Sequence, residues 1–144
     1  FCLYEELVKS KDETIAAISA KAIKEVKYHL KFASDWTLRL GDGTEESHQR
    51  IQKSFDDIWM YTGELFEMNE VDALLIKEGI AVDLNTLKTR WKKIITEVLL
   101  EATLTVPTDA YMQTGSRKGV HTESLGYILA EMQYLQLAYP DAKW

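Results

Sequence analysis

The sequence predicts an all-α chain, a single domain of packed antiparallel helices over residues 1–144, and three observations carry that expectation. Only two prolines occur, Pro107 and Pro140, both at the edges of periodic segments, so the long stretches between them are free to be helical. Apolar residues recur three and four positions apart through most of the chain. Capping residues stand where several of those patterns begin, and a glycine or a proline where they stop. With 46% hydrophobic and 28% charged residues in 144, there is enough apolar side chain for one real core.

The elements follow in order. A first short helix ends near Ser10. The second runs from about Thr14 to Leu40, with Asp12 as N-cap and Gly41 as stop, and its apolar stripe is Ile15, Ile18, Ala22, Val26, Ala33, Trp36 and Leu40. Thr44 caps a third helix whose first turn carries Glu45 and Glu46 against the positive helix N-terminus, with Ile51, Phe55, Ile58, Trp59, Thr62 and Phe66 as its stripe. A shorter helix spans Asn69 to Glu78 and ends at Gly79, the residue type that most easily turns left-handed. Asp83 caps the next, where Leu84, Leu87, Trp91, Ile94, Val98 and Ala102 repeat until Pro107. The polar loop TGSRKG, Thr114 to Gly119, precedes a last helix with Leu125, Ile128, Leu129, Met132, Leu135 and Tyr139 facing inward, ended by Pro140.

Bulk chemistry narrows function. A net charge of −6 and a pI near 5.1 argue against a protein that neutralises many nucleic-acid phosphates. No run of about 18 apolar residues exists and FCLYEEL is no leader, so neither a membrane span nor secretion is expected, and the cytoplasm is the expected location. A single cysteine, Cys2, makes no internal disulfide and no CxxC occurs. The chain opens on Phe1 in a helix without a cap, from which an upstream segment is expected.

The stretch KEVKYHL places Glu25 and His29 four apart. With His29 at zero on the helical wheel, Glu25 falls at about −40° and Trp36 at about −20°, which sets both polar residues in the apolar stripe. On the next helix His48 projects inward with Glu45 beside it, while Glu46 points out. A carboxylate-bridged di-iron site in a four-helix bundle takes a carboxylate from each of two helices and an ExxH pair from each of the other two. Glu45 and His48 have that spacing. Glu25 and His29 are one residue too far apart, and Glu123 has Gly126 where the histidine is required. The other reading makes these groups polar bridges, with Glu25 on His29 and Glu45 or Ser47 on His48. The residues alone leave both readings standing and favour the bridges.

Other features carry less. Arg117 and Lys118, on a glycine-flanked loop, could meet an anion, although a solvated basic loop is the commoner case. His121 and Glu123 read as local capping, and Trp36, Trp59 and Trp91 as core. No Gly-rich phosphate loop or GxSxG elbow is present.

The segments KAIKEVKYHLKFASDW, RLGDGTEESHQRIQ, DDIWMYTGELF, KEGIAVDLNTLKTRW and KGVHTESLGYILAEMQYLQLAYP, in that order and over nearly all 144 residues, resemble one family. It is the C-subunit family of the bacterial phenylacetyl-CoA epoxidase, the multicomponent monooxygenase of phenylacetate degradation. The resemblance implies a ferritin-like fold, of which this chain is the C-terminal portion. It implies a complex that inserts one oxygen atom of O₂ into the ring of phenylacetyl-CoA to give a 1,2-epoxide. In that complex a sister A subunit holds the di-iron site and substrate pocket, and a flavin and iron–sulfur reductase supplies electrons from NADPH. The C subunit is implied to be a structural partner with a degenerate metal centre. No iron ligand is therefore carried over to Glu25, His29, Glu45 or His48, no cofactor is expected in this chain, and self-association is allowed. Tyr134 and Leu137 are the candidate partner-facing residues. The rival expectations are a di-iron oxygenase in its own right and a ferritin-like iron-binding protein.

Overall fold

The computed structural model describes residues 1–107 and 111–143. Every regular element among them is helical, as expected. The chain forms two compact units, one covering Phe1–Gln113 and the other from Thr114 onward.

The first unit holds α1 (Cys2–Leu7), α2 (Glu13–Gly41), α3 (Glu45–Trp59), α4 (Glu70–Lys77) and α5 (Leu84–Glu101). Their starts are fixed by local chemistry, because the first backbone N–H groups of a helix need acceptors from outside it. The Asp12 carboxylate accepts from the Ile15 N–H at 2.9 Å, and Thr44 Oγ1 from that of Ser47 at 3.2 Å. Asp83 accepts from the Asn85 N–H at 2.9 Å. Asn69 accepts from Val71 and Asp72 while Asp72 accepts in return from the Asn69 N–H at 2.8 Å, a reciprocal capping box. Beyond α4, Gly79 adopts φ +76°, the left-handed conformation anticipated for it.

The core sits where the end of α2, the body of α3 and the second half of α5 meet. Trp59, Leu99, Ala102 and Leu104 are buried there, with Leu38, Ile51, Phe55, Trp91 and Ile95 packed against them. The rings of Trp59 and Trp91 lie 5.9 Å apart, centre to centre, so both tryptophans are core residues as expected. The end of α2 meets the end of α5 at close range at Gly41, where a Cβ would lie 2.3 Å from the Ala102 carbonyl oxygen. Only the absence of a side chain allows that approach.

Three expectations need correction. The third helix ends at Trp59, and Thr62 and Phe66 follow in a turn whose residues Gly63–Phe66 form a short 3-10 helix; Ile58 is exposed. The inward face of α2 is the expected one only in part: Ile15, Ala22 and Val26 of the expected stripe are half-buried and its other members are not. Ile15, Ser19, Val26, Leu30 and Gly41 are buried or half-buried, whereas Ile18, Ala33, Trp36 and Leu40 are exposed. On the wheel this turns the buried face by roughly a quarter turn from His29. The physical reason is that α2 is apolar on two faces, and the small residues Ser19, Ala22 and Gly41 admit close neighbours where the aromatic side does not.

The second unit contains a 3-10 turn at Ser116–Lys118, flanked by Gly115 and Gly119 with φ +100° and +82°, and then α6 (Ser124–Ala138). The expected inward stripe of α6 is absent: Leu125 is half-buried, and Ile128, Leu129, Met132, Leu135 and Tyr139 are exposed. Glu131 is its single charged side chain, so α6 is apolar on nearly all sides and has no polar face to distinguish from a core face.

Candidate functional site

The four Glu and His residues fall at two separate places. Glu25 and His29 face outward from the middle of α2, with side chains 75% and 62% exposed, which overturns their expected placement in the core stripe. Glu25 Oε1 stands 3.6 Å from His29 Nε2, a contact along one helix that ties α2 to nothing else. They sit in an exposed apolar ridge. Tyr28 and Phe32 have ring centres 6.2 Å apart, Phe32 and Trp36 6.3 Å, and Arg39 lies 5.5 Å over Trp36. The core placement expected of Trp36 is thus corrected too, since the quarter-turn rotation of α2 puts it on this ridge.

Glu45 and His48 occupy the first turns of α3 and line one open pocket with Gly41 and Thr103, but take different partners. Glu45 accepts from Gln49 Nε2 at 2.6 Å and stays on the exposed side. His48 turns inward, as expected, but its Nδ1 hydrogen-bonds the Gly41 carbonyl at 2.7 Å. The last turn of α2 leaves that carbonyl without a helical donor, so the imidazole caps α2 from the start of α3. Thr103 Oγ1, just past α5, donates to the same oxygen at 3.3 Å. Ser47 Oγ reaches the Leu40 carbonyl at 2.8 Å. The polar bridge therefore exists at His48, though with backbone and not with the acid expected beside it. Glu46 points outward toward Arg50, as expected.

Among the described residues no three His, Cys, Asp or Glu side chains are gathered closely enough to hold a metal ion. The one ring nitrogen of His48 in a polar contact is occupied by a carbonyl, and Glu45 is engaged along its own helix. Arg117 and Lys118 are exposed between their two left-handed glycines. Glu123 takes the N-cap position of α6, yet its side chain makes no capping bond, so local capping by that residue does not occur. Gly41 as the shared acceptor escapes a reading of the sequence, because a glycine after a helical pattern signals only a stop; Thr103, with φ +60°, carries no signal at all.

Comparison with known proteins places this arrangement. Residues 1–144 match the family described as phenylacetic acid catabolic protein. The chain is 49% identical over 142 residues to the C subunit of the 1,2-phenylacetyl-CoA epoxidase of Escherichia coli (strain K12), a match that covers 99% of this chain and 57% of that protein. The chain thus spans little more than half the length of that relative. An all-helical fold and a match from the first residue to the last agree: the chain belongs to the phenylacetic acid catabolic protein family.

Proposed function

We propose that this chain is the C-terminal part of a structural, non-catalytic subunit of a phenylacetyl-CoA epoxidase, a single ferritin-like helical domain that stabilises the complex's catalytic di-iron A subunit. The observation that carries the reading is the apolar surface the described residues leave open. On α2, Tyr28, Phe32 and Trp36 remain 64%, 53% and 45% exposed, and on α6 Tyr127, Met132 and Leu137 exceed two-thirds exposure. Isolated apolar residues on a surface need no explanation, but a contiguous aromatic ridge and a helix apolar all round mark surfaces meant to be covered. A stable heteromeric contact buries about 800 Å² on each partner, anchored by such side chains. Tyr134 and Leu137, both exposed on α6, remain the candidate contacts.

The four Glu and His residues do not together fit a di-iron ligand set. Glu25 and His29 are spaced along one exposed helix face, Glu45 binds Gln49, and His48 caps α2. The iron and the oxygen chemistry belong in this reading to the A subunit. This chain's work is mechanical: the His48 bond to Gly41 fixes the angle between α2 and α3 and so presents the ridge as a rigid surface. No described helix is long and apolar enough to cross a membrane, and the reading places the complex in the cytoplasm.

The test is to purify the full-length protein alone and with its A subunit, then measure mass by light scattering and iron by elemental analysis. Co-migration of the two subunits, with iron tracking the A subunit, is the expected result. A full-length protein that stays monomeric beside the A subunit, or that holds about two irons per chain by itself, overturns the reading.

A further inference from the structure

A cavity of about 390 Å³ opens in the first unit, beside the core and lined by none of Glu25, His29, Glu45 and His48. Trp59, Phe66 and Trp91 form its floor, Met112 one wall, and Lys88 and Lys92 its rim. The floor is built from ring contacts: Trp59 and Trp91 at 5.9 Å, Phe66 edge-on to Trp91 at 5.4 Å. Rings held by one another in this way keep the cavity preformed and cannot fold down to fill it. Its volume lies in the range of small-molecule sites, which are mostly apolar with a few polar groups at fixed positions.

The charged groups that line this cavity are all of one sign. Lys88 and Lys92 are one turn apart on α5 and project to the same side. Lys88 Nζ sits 5.9 Å from the centre of the Phe66 ring, and neither rim lysine has a carboxylate in ion-pair range among the described residues. Their neighbour Lys93, by contrast, reaches Glu97 at 3.8 Å. Lys88 and Lys92 also line a second, open groove of about 570 Å³, together with the paired Lys93 and Glu97. On a chain with net charge −6, an aromatic hollow edged by two ammonium groups with no carboxylate partner among the described residues is a local reversal of sign.

We infer that this cavity binds an aryl anion: a flat aromatic body on the Trp59, Phe66 and Trp91 floor, with a carboxylate or phosphate held by Lys88 and Lys92. The rings supply stacking and apolar contact to the body, and the lysines select the charge and set the ligand's direction. The site is independent of the assembly role, since neither α6 nor the α2 ridge takes part.

Isothermal calorimetry on the full-length protein tests it with four probes: 2-naphthoate, 2-naphthyl phosphate, 2-naphthalenemethanol and inorganic phosphate. The two aryl anions are expected to bind, the neutral alcohol at least about tenfold more weakly, and phosphate alone not measurably. The stronger of the two anions identifies the head group. The double variant Lys88→Ala, Lys92→Ala should lose about tenfold or more in affinity for both anions while its melting temperature stays unchanged, both positions being exposed. Equal binding of the alcohol, an unchanged affinity in the double variant, or no binding of either anion at millimolar concentration overturns the inference.

Discussion

Gly41→Ala puts the close approach of α2 and α5 to a direct test. The added Cβ would stand 2.3 Å from the Ala102 carbonyl oxygen and 2.9 Å from its Cβ. Neither neighbour can swing aside, because Ala102 is backbone-bonded to Val98 at 3.0 Å and Leu104 to Leu99 at 2.8 Å. The helices must separate, and separation stretches the His48 and Thr103 bonds to the Gly41 carbonyl. Overpacking of this kind costs about 1–3 kcal/mol, and loss of a hydrogen bond about 1 kcal/mol more. Alanine returns about 1 kcal/mol through its higher helix propensity. The balance is a destabilisation of about 2 kcal/mol, read as a lower urea midpoint with unchanged slope and a fall in melting temperature of about 4–8 °C. A midpoint equal to or above that of the unaltered protein would refute the reasoning, since it would mean that propensity decides at this position and the close approach does not.

Two further outcomes follow from the same geometry. His48→Ala leaves the Gly41 carbonyl with only the longer Thr103 contact and should cost about 1 kcal/mol in urea unfolding, while Glu45→Ala should change stability by less than about 0.5 kcal/mol; equal effects would instead tie the two residues to a common site. The Asp57 carboxylate, by hydrogen bond first and charge second, holds Lys53 above the ordinary lysine value of 10.5. A group raised on folding contributes stability that is full below its unfolded value and lost as pH rises through its folded one, so the urea midpoint difference between the protein and Lys53→Gln should shrink only above about pH 10.5; a difference that disappears at neutral pH would remove Asp57 as the cause.

What the sequence disclosed divides along physical lines. Helix starts were legible because capping is a contract between residues two or three apart: Asp12, Thr44, Asn69 and Asp83 each meet a backbone N–H within that distance. Gly79 was legible for the same reason, its left-handed φ being a local demand. The inward face of α2 was legible only in part. With apolar side chains on two faces, Ile15, Val26 and Leu30 on one and Tyr28, Phe32 and Trp36 on the other, periodicity fixes the period and leaves the phase open. Ile15, Ala22 and Val26 of the expected stripe do turn inward, whereas Ile18, Ala33, Trp36 and Leu40 fall on the exposed side.

That error of phase is also why the site was misplaced. Glu25 and His29 ride with the aromatic face, so a quarter-turn moves both from core to surface together, and their spacing says nothing about which. His48 escaped the ambiguity because α3 has one apolar face, with Ile51 and Phe55 half-buried and Glu46, Arg50, Lys53 and Asp57 opposite. Its partner was still unreadable, because a backbone carbonyl at Gly41 has no signature in a side-chain alphabet. A histidine whose ring nitrogen is committed to the end of a neighbouring helix ties the start of α3 to the last turn of α2, the helix that carries the ridge of Tyr28, Phe32 and Trp36.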